Sequence, residues 1–124
     1  MVFDGDELRG LFDFDVLGWG ARVLDLSLGF FMFGRERRGS RRVRPSVGRL
    51  FLDEYSRYGP IPLEELAAVP AFVVLNFAPT AAWLEYRRRD VGAEPTELLR
   101  DSVAYMQELE TEMARLAPEF GWSL

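Results

Sequence analysis

The run from Arg22 to Phe33 is the constraint that the rest of the chain has to satisfy. At helical spacing Leu24, Leu28 and Phe31 fall on one flank and Val23, Leu26, Phe30 and Phe33 on another, so most of its circumference is apolar. Such a helix is expected to be buried, with other elements packed around it. Its only charged residue after Arg22 is Asp25, near the start, where the helix dipole favours an acid. Amid so much apolar surface that carboxylate is expected to have partners, because an unpaired buried charge is expensive. The plainer alternative is a helix-start acid facing solvent.

The segment ahead of this helix reads as a hairpin and a loop. Met1 to Phe3 is a short apolar strand, Asp4-Gly5-Asp6-Glu7 is a turn, and Leu8 to Phe14 returns as a second strand. A lone two-stranded hairpin is marginal in water, so it is expected to lie on helices. Asp13 and Asp15 are two residues apart, which on an extended backbone places both carboxylates on one face. Like charges that close repel unless a cation, an Arg or water separates them, and Mg2+ is a hard cation suited to one or two carboxylates. The bland reading is that these acids end a strand and cap a turn. Gly18 and Gly20 then give the loop backbone freedom before Arg22.

The order Leu11-Phe12-Asp13-Phe14-Asp15, Gly18-Trp19-Gly20-Ala21-Arg22, Asp25-Leu26-Ser27 resembles the metal-binding segment of the aminoglycoside phosphotransferase and choline kinase-like family. Kinases related to homoserine kinase type II belong to the same family. Ala21 stands where that family usually has Pro, and Ser27 where it has Ala. The resemblance implies that Asp13 is a magnesium-binding aspartate; Asp15, on the same face by its spacing, is the weaker metal candidate. It also implies that Asp25 is a buried brace for a catalytic loop. It further implies transfer of the ATP γ-phosphoryl group to a small-molecule hydroxyl. Glu54, Tyr55, Asn76, Trp83 and Glu85 are the candidates for an acceptor pocket.

The family's catalytic loop, roughly His-Gly-Asp-x-x-x-x-Asn, is not in this chain, which has no His. All fifteen basic residues are Arg, so no Lys holds phosphates, and neither type of Gly-rich phosphate loop occurs. The chain therefore resembles the C-terminal part of a kinase-like large lobe without its catalytic residues. It is then either a truncated gene product or half of a split enzyme that needs an N-terminal lobe chain, and Mg2+ and ATP are expected only if the missing lobe complements it. Alternatively, the scaffold is a non-catalytic interaction module. Apolar surface and strand edges left by an incomplete lobe would favour a homo-oligomer such as a dimer.

The remaining elements follow in order. Gly34 to Arg44 carries Arg35, Arg37, Arg38, Arg41, Arg42 and Arg44 against Glu36. Its plain reading is a solvated, mobile connection, and its sharper one a phosphate or anionic-partner site. Pro45 suits the first turn of a helix whose face is Val47, Leu50, Phe51, Tyr55 and Tyr58. A short helix is expected from Pro62, and another from Pro70 to about Arg89 with a kink at Pro79. Asn76 would satisfy backbone opened at that kink or touch substrate. Leu99, Val103, Met106, Leu109, Met113 and Leu116 mark the clearest amphipathic helix, with the acids outside. The tail carries Phe120 and Trp122 and can dock on the bundle.

These elements predict an α+β fold in one domain over residues 1–124: a hairpin over 1–14, then a four- to five-helix bundle over 22–33, 45–58, 62–89 and 95–117. Seventeen aromatic residues supply core material. A net charge of −5 gives no general attraction to nucleic acid or anionic membrane. The absence of Cys and His excludes the usual zinc sites and suits a reducing cytoplasm. The apolar stretches are too short or interrupted to span a bilayer.

Overall fold

The computed structural model describes residues 2–10, 20–89 and 95–123, and the chain is mostly helical. Four helices follow a short ladder: α1 (Arg22–Gly34), α2 (Pro45–Tyr58), α3 (Leu63–Arg89) and α4 (Pro95–Phe120). Helix α1 is central, packing on α2 along one side and on α3 along another, while α4 lies mainly on α3. Leu26, Phe30 and Phe31 of α1 are fully buried and meet Val69 and Val73 of α3 and Leu109, Met113 and Leu116 of α4 in one core.

Burial of α1 is nevertheless one-sided. Leu28, Met32 and Phe33 remain 42%, 40% and 50% exposed, so the expected envelopment is incomplete. Its contact with α2 is close because two glycines remove side chains at the crossing. The Phe51 ring lies directly against Gly29, and a Cβ on Gly48 would stand 2.6 Å from Phe30 Cε2. Phe33 and Phe51 stack across the same seam with ring centroids 5.7 Å apart.

Helix α3 corrects the expectation of two helices meeting at Pro70. It runs unbroken from Leu63 to Arg89, with Pro70 inside and fully buried. Proline in a helix removes one backbone hydrogen bond and costs about 3 kcal/mol. Here the ring lies on the packing face beside Val69 and Val73, where burial of apolar surface opposes that cost.

Helix α4 extends past the expected end at 117 and takes Pro118 into its last turns. It stops at Gly121, whose φ of 69° is the left-handed conformation that closes a helix. The Trp122 N–H donates to the Ala117 carbonyl at 3.0 Å, completing the reversal. Trp122 is thereby folded back and buried, stacked on Phe120 at 4.8 Å and edge-on to Phe30 at 5.4 Å.

Strands β1 (Val2–Asp4) and β2 (Glu7–Gly10) pair antiparallel, with Phe3 opposite Leu8 and Asp4 opposite Glu7. Gly5 turns the chain with φ 60°. The expected docking on a helix is not seen among the described side chains, of which Val2 and Leu8 are 52% and 46% exposed, and the Phe3 side chain lies outside them. Leu11 to Phe14, expected to continue the second strand, lie outside the described residues.

Candidate functional site

Asp13 and Asp15 lie outside the described residues, as do Gly18 and Trp19. The described chain resumes at Gly20, and its next cation is fixed. Arg22 Nε donates to Glu65 Oε2 at 2.9 Å, and Nη2 donates to the Pro60 carbonyl at 3.1 Å. This ties the first residue of α1 to the start of α3 and to the residues joining α2 and α3. The hydrogen bond to Glu65 raises the Arg22 pKa, and that carboxylate's charge acts in the same direction, against a smaller effect of burial.

Asp25 differs from its expected setting. It occupies the first turn of α1 but is exposed, and it forms no hydrogen bond or ion pair with another described residue. The cause is rotational. Val23, Leu26 and Phe30 turn inward, which places residue 25 on the opposite side in register with Leu28 and Met32. A carboxylate without a described partner and two apolar side chains thus share one exposed strip.

The proposed acceptor-pocket residues do not converge on one described cleft. Glu54 is half-buried and pairs with Arg57 at 3.0 Å within α2. Tyr55 is half-buried and lies 5.9 Å from the Phe51 ring, at the α1–α2 seam. Asn76 is on the other flank of α1. Its amide donates to the Leu24 carbonyl at 3.1 Å and to Ser27 Oγ at 2.9 Å. Ser27, fully buried, donates in turn to the same carbonyl at 3.0 Å. Both described donor contacts of Asn76 are therefore used to hold α3 on α1, neither on a ligand nor at Pro79. Trp83 and Glu85 belong to α3, and their side chains lie outside the described residues.

The strongest polar constellation among the described residues was not anticipated. Glu112, expected on the outer face of α4, is buried at 3% exposure. It accepts from the Val43 N–H at 2.8 Å, from Arg115 at 2.6 and 2.8 Å, and from Arg42 at 3.3 Å. Arg115 also donates to the Val43 carbonyl at 3.0 Å. Burial pushes the Glu112 carboxyl up, but the Arg115 and Val43 hydrogen bonds and the charges of Arg115 and Arg42 outweigh it, leaving the pKa lowered. The sequence signal was positional: residue 112 lies between Leu109 and Met113 on the apolar stripe, with Arg115 one turn on.

These bonds change the character of the Arg-rich connection between α1 and α2. Rather than a loose loop, residues 35–43 form a folded turn closed by a bridge between Arg35 and Val43. The Glu36 N–H donates to the Arg42 carbonyl and the Arg44 N–H to the Gly34 carbonyl, both at 2.9 Å. Arg41 lies over the Tyr105 ring at 4.6 Å, with its Nε 2.9 Å from Glu108 in an ion pair that lacks hydrogen-bond alignment. The connection is therefore fastened to α4 at Arg41, Arg42 and Val43.

Among the described residues no cluster of three or more His, Cys, Asp or Glu is placed to hold a metal. No described helix is long and apolar enough to cross a membrane. The chain matches no protein-family model, no curated protein and no solved structure.

Proposed function

We propose that this chain is the C-terminal part of the large lobe of a small-molecule phosphotransferase, inactive until a second polypeptide supplies the catalytic loop. The reaction would pass the ATP γ-phosphoryl group to a small-molecule hydroxyl. The observation that carries this reading is the exposed strip of α1 on which Asp25, Leu28 and Met32 align. An acid with no described partner beside uncovered apolar side chains is a face suited to a covering segment that brings hydrogen-bond donors. The order along the chain supports the same reading: a strand pair, then the sequence Asp13-Phe14-Asp15, then a Gly-containing stretch that leads to the clamped Arg22.

The donor set of Asp13 and Asp15, two hard carboxylate oxygens sources close in sequence, suits Mg2+. When bound with ATP, that ion would neutralise charge on the phosphates. Asp25 would receive N–H donors from the catalytic loop and hold it in register. Arg22, through Glu65 and the Pro60 carbonyl, would fix the end of the metal-bearing loop relative to the helices.

Phosphoryl transfer from Mg-ATP to a panel of amino alcohols tests the proposal. The purified chain alone is expected to be inactive and to gain activity with a polypeptide bearing a His-x-Asp-x-x-x-x-Asn loop. Turnover by the chain alone would overturn its incompleteness. Activity unaffected by Asp13→Asn in the complemented enzyme would overturn the metal assignment.

A second reading, a non-catalytic and self-associating module on the same scaffold, is favoured by the apolar side chains at the α1–α2 seam. Phe33, stacked on Phe51, is 50% exposed there, and Leu50 of α2 is 58% exposed. Light scattering at rising concentration checks it; a monomer throughout excludes self-association.

A further inference from the structure

Charge is distributed unevenly in this acidic chain. Arg9, Arg22, Arg41, Arg42, Arg49, Arg57 and Arg115 each form an ion pair with a carboxylate. Arg35, Arg37, Arg38 and Arg44 have no carboxylate partner among the described residues, and all four belong to the connection between α1 and α2. Apart from Arg100 on α4, the described cations without a carboxylate partner are thus concentrated on one connection, in a protein whose net charge is −5.

That turn borders a cleft of about 470 Å³ lined by Glu36, Arg42, Val43, Arg44, Ser46 and Arg115, with Pro45 at its edge. Arg115 and Arg42 are held by Glu112, yet Arg115 keeps Nη1, and Arg42 keeps Nε and Nη2, without described partners. The Arg44 guanidinium has no partner among the described residues. Helix α2 starts here without a side-chain cap, and the Ser46 N–H follows a proline in its first turn, where no helical acceptor is available. Three guanidinium groups therefore face one lining carboxylate, Glu36, with Glu112 buried behind. Guanidinium groups match phosphate oxygens with paired hydrogen bonds.

We propose that this cleft binds a phosphate group, held by Arg42, Arg44 and Arg115 and the Ser46 N–H. Because Glu112 and Val43 fix two of these cations beforehand, little side-chain ordering is left for binding. The site is independent of the phosphotransferase reading, since it lies on the α2 side of the fold and uses none of the residues assigned above to magnesium or the catalytic loop.

Titration of the full chain with pyrophosphate at low ionic strength, followed by amide NMR and calorimetry, tests it. Shifts are expected at Arg44 and Ser46. Arg44→Gln is expected to weaken binding about tenfold, while Arg57→Gln, in the last turn of α2 and outside the cleft lining, leaves it unchanged. Arg44 is exposed and without a described side-chain partner, so the variant is expected to fold. Vesicles of phosphatidylcholine carrying phosphatidic acid separate the sources. Binding that pyrophosphate competes away assigns a lipid headgroup, and pyrophosphate binding without vesicle binding assigns a free phosphate compound. Absence of binding at millimolar pyrophosphate, or equal weakening by Arg57→Gln, would overturn the proposal.

Discussion

Glu112 accepts a hydrogen bond at 2.8 Å from the backbone N–H of Val43, across 69 residues of sequence. One carboxylate thereby joins α4 to the connection between α1 and α2 and neutralises cations that would otherwise crowd there. Glu112→Gln keeps the shape but removes the charge facing Arg115 and Arg42. Because both guanidinium groups retain access to water, the loss is expected at about 2–3 kcal/mol, measured by urea denaturation.

The same carboxylate predicts an acid limb in the stability profile. Its folded pKa lies below the ordinary value of 4.5, so its contribution is fully present above that value and is lost as pH falls through the lower, folded one. Urea midpoints measured downward from pH 6 are expected to drop less steeply in Glu112→Gln than in the parent.

Asn76 and Ser27 should behave as a coupled pair. Asn76→Ala leaves the buried Ser27 hydroxyl without the amide that donates to it and is expected to cost about 1–2 kcal/mol. In a double-mutant cycle with Ser27→Ala, the two losses are expected to be non-additive by about 0.5 kcal/mol or more.

Gly48→Ala places a methyl carbon against the ring of Phe30, itself enclosed by Phe120 and Trp122. With the ring fixed on both sides, relief requires α2 to move away from α1. A loss of about 1–3 kcal/mol is expected in thermal or urea unfolding.

Asp25→Ala is expected to change the stability of the isolated chain by less than about 0.5 kcal/mol, because the side chain is exposed and without a described partner. In the complemented phosphotransferase the same substitution is expected to reduce activity at least tenfold. A large stability loss in the isolated chain would show that Asp25 already has a structural partner there.

Helices α1, α2 and α4 were legible because apolar periodicity and Pro45 mark them locally. The passage of α3 through Pro70 was not, because a proline looks like a helix start until the burial of its ring against the core is known. Glu112 was misplaced for a related reason. Nothing adjacent in sequence supplies Val43 or Arg42, so only tertiary pairing makes its burial tolerable. Asn76 was recognised as unusual on an apolar face, but its partners lie on α1 rather than at Pro79. For Asp25 the apolar composition of α1 implied burial, whereas the direction of the side chain decided exposure.

The backward fold of Trp122 onto Phe30 has a consequence for biosynthesis. Phe30 emerges from the ribosome about ninety residues ahead of the indole that covers it, counting from the sequence itself. Until Trp122 is translated, the central helix lacks its aromatic lid, and the nascent chain carries an adhesive apolar site that a holding chaperone could recognise. Completion of the bundle is therefore timed by the synthesis of Trp122, long after the helix it covers.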